Sequence, residues 1–236
     1  MKRSRLSMTL IALPMIAILV TLGTWQVQRL AWKDELIATM DARMDLPPIT
    51  VDQVLALPLA EQEWRPASAQ GTFTPDQAIA LYRISVAGKA GYQIFAPLLR
   101  EGAVPVLVNL GAVAAASPQE ALEAYAPDPD QGLTITGIVR FEEMPGAFTN
   151  ANDPDTGAWY WLDLDALSQT LNTPLLPIML VADAGSTLTA MTGGQARFEP
   201  ANNHLQYAGT WYALALVATV IYLLILRRPP NRESSS

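Results

Sequence analysis

Two apolar runs without a charge, Ser7 to Val27 and Ala208 to Leu226, lie near opposite ends of a 236-residue chain. An α-helix rises 1.5 Å per residue, so about 20 residues cross the roughly 30 Å hydrocarbon layer of a bilayer. The first run holds nine Leu, Ile and Val residues, together worth roughly 3–5 kcal/mol of insertion at central depth. Pro14 predicts a kink, which a membrane helix tolerates. A cleaved signal peptide has a shorter apolar stretch and a small-residue cleavage site. Here the run ends in Trp25, Gln26 and Arg29, with Trp32 and Lys33 one turn on, the interfacial belt of an uncleaved anchor. The expected organisation is a tail at 1–6, a transmembrane helix at 7–27, a domain at 28–204, a second transmembrane helix at 205–226 and a tail at 227–236.

Lys2, Arg3 and Arg5 precede the first run, and Arg227, Arg228 and Arg232 follow the second. Positive residues near helix ends stay cytoplasmic, so both termini are expected in the cytoplasm and the domain outside it. Between Arg29 and His204 stand 21 acidic and nine basic residues, a formal charge of −12. A surface that acidic argues against nucleic acid as a partner. Cysteine is absent, which removes disulfides, thiolate nucleophiles, iron–sulfur clusters and thiolate metal sites.

Leu30, Leu36, Ile37 and Met40 recur at helical spacing and predict a neck from Arg29 to Leu46, ended by Pro47-Pro48. Thr50 and Gln53 form a capping-box pattern for a short helix through Leu57. Strand-like runs follow at Trp64–Phe73, Ile79–Val86, Gly91–Leu99, Val104–Val113, Leu133–Phe141 and Ile178–Ala182. Ala87-Gly88-Lys89 reads as a turn. Ser117-Pro118 and Asp163 each open a short helix. Met144 to Gly157 and Gly185 to Gln195 read as loops. Many short strands with a few short helices predict a β-rich α+β domain, antiparallel or barrel-like, between the two transmembrane helices.

Motifs for phosphate loops, dinucleotide binding and the GxSxG nucleophile elbow are missing. The carboxylate pairs Glu142-Glu143, Asp153-Asp155 and Asp163-Asp165 are what so acidic a surface produces by abundance. Met40 and Met44, one turn apart, make a poor copper site without Cys or His. Trp159 and Trp161 fit core and rim positions.

His204 is the only histidine and stands at the start of the second apolar run. An imidazole there can anchor a helix, bind a metal or ligate a haem iron. On a 3.6-residue period it shares a face with Ala208, Trp211, Ala215, Ala218 and Tyr222. Small residues admit a close neighbour. That neighbour is either a second helix, the simpler reading, or a flat amphiphilic ligand such as haem.

Further motifs carry a resemblance. Leu22-Gly23-Thr24-Trp25-Gln26, with Arg29 and Trp32-Lys33, resembles the LGxWQxxRxxWK boundary motif of the surfeit locus protein one family. Gly71-Thr72-Phe73, Gly91-Tyr92 with Pro97-Leu98, and Val106-Leu107-Val108-Asn109-Leu110-Gly111 resemble its following segments. Asn202-Asn203-His204-Leu205-Gln206-Tyr207-Ala208 with Thr210-Trp211 resembles its closing motif. The resemblance implies two membrane helices around a periplasmic or intermembrane domain. It implies an assembly factor, not an enzyme, that binds haem a and helps insert it into subunit I of haem–copper (cytochrome c) oxidase in a bacterial inner membrane. Haem a synthase is a further implied partner. Within the resemblance His204 is the axial ligand to the haem iron, and Trp25, Tyr207 and Trp211 are candidate residues around it. The alternative within the same family is a scaffold that stabilises subunit I without touching haem. A copper chaperone is disfavoured by the missing Cys and clustered Met or His, and a membrane-anchored hydrolase by the missing nucleophile motif. Where the family has Arg and Trp, this chain has Leu110 and Ala112, and no proline stands at Ala114. A contact made by that segment is expected to differ, and with it the client, cytochrome c oxidase or a quinol oxidase.

Overall fold

A computed structural model describes residues 2–86, 89–123, 125–142, 144–186 and 203–227, with side chains throughout except at 2–5 and 83–90. The expected turn at Ala87-Gly88-Lys89, most of the Gly185–Gln195 loop, Glu143 and the tail beyond Arg227 lie outside the described residues. The chain forms two units, one of residues 1–39 with 199–236 and one of residues 40–198.

The first unit is a pair of antiparallel helices. Helix α1 runs from Lys2 to Met44 with Pro14 inside it. The predicted neck continues the first membrane helix and ends at Met44, two residues before the expected Leu46. Helix α6 runs from His204 to Arg227. Both are long and apolar enough to cross a membrane, and only 6% of each apolar window is buried inside the protein. This is the surface of helices solvated by lipid.

The pair is fastened at three heights. The Thr9 and Tyr222 hydroxyls are 2.9 Å apart. Those of Thr24 and Tyr212 are 3.1 Å apart. Gln26 meets His204 at 2.7 Å. Between these points the small residues sit inside: Gly23, Ala208 and Ala215 are buried. A Cβ on Gly23 would come 2.9 Å from the Tyr212 ring, so glycine is what lets that ring lie on α1. Polar bonds and small contact residues are how helices associate where no hydrophobic force draws them together.

The second unit is a seven-stranded sheet with short helices. Its strands are β1 (Ile49–Thr50), β2 (Pro66–Gly71), β3 (Ile79–Val86), β4 (Lys89–Arg100), β5 (Ala103–Val113), β6 (Leu133–Arg140) and β7 (Met179–Ala182), in the order β1-β2-β6-β7-β5-β4-β3. Most neighbours are antiparallel, whereas β1–β2 and β5–β7 are parallel. Beyond β2, Thr72 pairs with Leu99 of β4 through two backbone hydrogen bonds of 3.0 and 2.9 Å. That seam closes β2, β6, β7, β5 and β4 into a ring, so the expected barrel-like domain is observed. β3 extends from β4 outside the ring.

The helices are α2 (Val51–Leu55), α3 (Leu59–Gln62), α4 (Pro118–Leu122) and α5 (Leu164–Thr170). The sequence reading had no signal for α3, four residues after Pro58, nor for the two-residue β1. Capping behaves as the sequence indicates: Thr50 and Gln53 exchange capping-box bonds, Ser117 caps α4 and Asp163 caps α5. α2 ends at Leu55 rather than Leu57.

β4, β5 and β7 are apolar on both faces because both are covered. Ile94, Ala96, Val106, Val108 and Leu180 join the larger core cluster with Val51 and Val54 of α2. Phe95, Leu107 and Met179 join a second cluster with Trp159 and with Leu164 and Leu167 of α5. The register of β4 on β5 slips at Ile94/Phe95, which pair with Gly111 and Asn109. Leu110 is the extra residue of a bulge. Gly111 has φ +122°, and the Asn109 side chain accepts its N–H at 3.0 Å.

Candidate functional site

Chemistry in the β-rich unit is largely used up by structure. Asp163 holds the start of α5, accepting from the Ala166 N–H at 2.8 Å. Glu142 accepts from the Leu164 N–H. Burial, the larger effect, and the nearby Asp163 and Asp165 raise its carboxyl above the usual range, although this hydrogen bond opposes them. Asp153 organises the turn with Thr156 and Ala158. Asp163, Glu142 and Asp153 thus shape caps and turns, where the sequence suggests only a solvated acidic surface. No group of three or more His, Cys, Asp or Glu among the described residues is placed to hold a metal.

A hollow of about 990 Å³ opens beside the seam, lined by Thr50, Ser68, Gln70, Thr72, Arg100 and Thr134 among others. Its cation is occupied. Arg100 grips both carboxylate oxygens of Asp52, at 3.1 and 2.9 Å, and the Val104 carbonyl. Met44 packs on Ile138 and Val181, as a core methionine does. Trp159 is buried and Trp161 half-buried.

The remaining candidate is the end of the helix pair. His204 is the first residue of α6 and is half-buried. Its Nδ1 lies 2.7 Å from the Gln26 Oε1 of α1. Among the described residues no partner is found for Nε2. Gln26 lies on the inward stripe of α1, in step with Ala12, Leu19 and Lys33 at seven-residue intervals. The sequence places Gln26 in the interfacial belt and within a motif, but does not pair it with His204. The signal available was a polar residue recurring on that apolar stripe.

Of the other candidates, Trp211 is half-buried on the same face as His204, while Trp25 and Tyr207 are exposed. None has a hydrogen bond or ring contact to the imidazole among the described residues. The face of His204, Ala208, Trp211, Ala215, Ala218 and Tyr222 is packed on α1, so the second helix is the neighbour that the small residues admit. A metal held by Nε2 is compatible with these residues: one ring nitrogen is tied back, the other is not. The exposed Trp25, next to Gln26, and Tyr207, one turn after His204, offer aromatic surface.

Leu110 and Ala112, the departures from the motif, are buried, with Leu110 in the larger core cluster. The segment is the interior of the expected strand, with a bulge at Leu110. The two substitutions therefore act in this chain on core packing and not through an exposed contact.

A family model described as the SURF1 family matches residues 13–216. The chain is similar to a SURF1-like protein of Monosiga brevicollis, 31% identical over 90% of this chain and 85% of the relative. It is similar to Surfeit locus protein 1 of Xenopus tropicalis, at 32% over 86% of this chain and 70% of the relative. Surfeit locus protein 1 of Homo sapiens is 30% identical over 85% and 71%.

Proposed function

The chain belongs to the SURF1 family, and from that premise we propose that it is an assembly factor for haem–copper oxidase. It binds haem a through His204 and helps pass it to oxidase subunit I, with haem a synthase as the donor partner and without catalysing a reaction itself. Its place is the bacterial inner membrane. Both basic tails are cytoplasmic and the acidic β-rich unit is periplasmic, as the positions of Lys2, Arg3, Arg5, Arg227, Arg228 and Arg232 favour. The observation that carries the reading is the only histidine of the chain, held at Nδ1 and without a described partner at Nε2. Haem supplies a redox-active iron that one imidazole can ligate. A single protein ligand suits a cargo that must be released.

A second reading has its own support. The alanine face of α6 lies against α1, with Ala208 and Ala215 buried, which favours a scaffold that stabilises subunit I and never touches haem. The two are separated by purifying wild type and His204→Ala from cells that make haem a. Loss of pigment in the variant supports ligation. A wild type that stays colourless supports the scaffold. Equal occupancy and an unchanged Soret band in the variant overturn His204 as the ligand.

A further inference from the structure

We propose that Gln26 is the positioning residue for His204: its carboxamide oxygen keeps the imidazole proton on Nδ1 and leaves the Nε2 lone pair as the only metal-binding nitrogen of the chain. The inference rests on the reading of His204 as an iron ligand and adds to it which nitrogen binds and what decides that.

An amide oxygen can only accept a hydrogen bond. An imidazole nitrogen 2.7 Å from Gln26 Oε1 must then be the N–H donor. In a neutral imidazole the other nitrogen carries the lone pair, so the contact selects the tautomer with Nε2 bare. With the amide turned over, its NH₂ would donate to Nδ1, the proton would sit on Nε2, and the metal-binding nitrogen would be closed. The orientation of the amide therefore decides which ring nitrogen carries the lone pair. A metal-binding histidine whose other nitrogen is tied to an oxygen acceptor gains both orientation and basicity.

The surroundings explain why Gln26 can do this. The buried Gly23 lies one turn before it on the inward stripe of α1 and admits the Tyr212 ring, which lets α1 and α6 approach. Gln26 then reaches across to the first residue of α6. On the stripe that also carries Ala12, Ile16, Leu19, Gly23 and Leu30, a half-buried amide facing a second helix gains from a hydrogen-bond partner across it, and His204 is that partner. Neither Gln26 nor His204 has another side-chain hydrogen bond among the described residues.

Because His204 is the sole histidine, ¹⁵N-histidine labelling of the full chain in lipid nanodiscs gives one imidazole and no overlap. The wild-type ring is expected to carry its proton on Nδ1, with Nε2 unprotonated, before any haem is added. Gln26→Leu should lose that single tautomer, and Gln26→Glu, which keeps an acceptor, should retain it. Titration with iron protoporphyrin IX, followed at the Soret band, should show about 10–100-fold weaker binding for Gln26→Leu and near-wild-type binding for Gln26→Glu. A wild-type ring protonated on Nε2 overturns the proposal. So does equal porphyrin affinity of wild type and Gln26→Leu while His204→Ala is weakened, an outcome that leaves His204 as ligand intact. Unchanged affinity in His204→Ala overturns the ligand reading itself, and with it the role of Gln26 in metal binding.

Discussion

Gly71→Ala tests the closure of the ring. Gly71 ends β2 immediately before the Thr72–Leu99 pair. A Cβ there would collide with the Leu99 carbonyl oxygen and lie 2.9 Å from its carbon and 3.0 Å from the Leu98 side chain. The obstruction is backbone, which cannot swing aside, so the seam itself must open. Opening it forfeits two backbone hydrogen bonds, each worth about 0.5–1.5 kcal/mol net. Moving Leu98, which is fully buried, adds about 1–3 kcal/mol of overpacking. Together the loss is about 2–6 kcal/mol, against a total stability on the order of 5–15 kcal/mol for a domain. With about 1–3 kcal/mol per molar of urea, the unfolding midpoint should fall by on the order of 1 M or more. The assay is urea unfolding in detergent followed by near-ultraviolet circular dichroism, which reports the buried Trp159. Gly132→Ala is the control, because a Cβ at Gly132 meets nothing within 4 Å. A Gly71→Ala midpoint equal to that of the control would refute the seam as a closed, backbone-limited contact.

Tyr212→Phe removes the hydroxyl bonded to Thr24 and should weaken the helix pair by about 0.6 kcal/mol, while Gly23→Val, which drives a branched side chain into the Tyr212 ring, should weaken it further. The native chain has no cysteine, so the yield of a cross-link between Thr9→Cys and Tyr222→Cys measures pairing directly, and an unchanged yield in Gly23→Val would contradict the close approach. Burial raises the carboxyls of both Glu142 and Asp183. Such groups favour the folded state most when protonated, at pH below their unfolded values of 4.5 and 3.8, and that contribution is lost as pH rises through the folded values. Glu142→Gln should flatten this part of the pH dependence of unfolding, and a profile identical to wild type would remove Glu142 from it.

The departures at Leu110 and Ala112 show how context changes a motif. Asn109-Leu110-Gly111 reads in sequence as part of a continuous apolar strand. The bulge is invisible there, because it arises from the mismatch between β4 and β5 and from the positive φ that Gly111 adopts. Once the bulge is in place, Leu110 belongs to the core, where only packing acts on it.

Local chemistry was enough to locate what depends on neighbours in the chain. The charge-free runs define two membrane helices because a bilayer selects length and polarity. Thr50, Ser117 and Asp163 start their helices because a cap reaches only two or three residues along the backbone. His204 stands out because it has no competitor in a chain without cysteine. The tertiary structure decided what depends on contacts across the chain. It closed the ring at Thr72 and Leu99, 27 residues apart. It set the alanine face of α6 against α1, with Ala208 and Ala215 buried. It brought Gln26 to His204 across 178 positions. Helical periodicity places residues on a face. Only the partner helix, set at its distance by Gly23 and Tyr212, determines which polar group that face will meet.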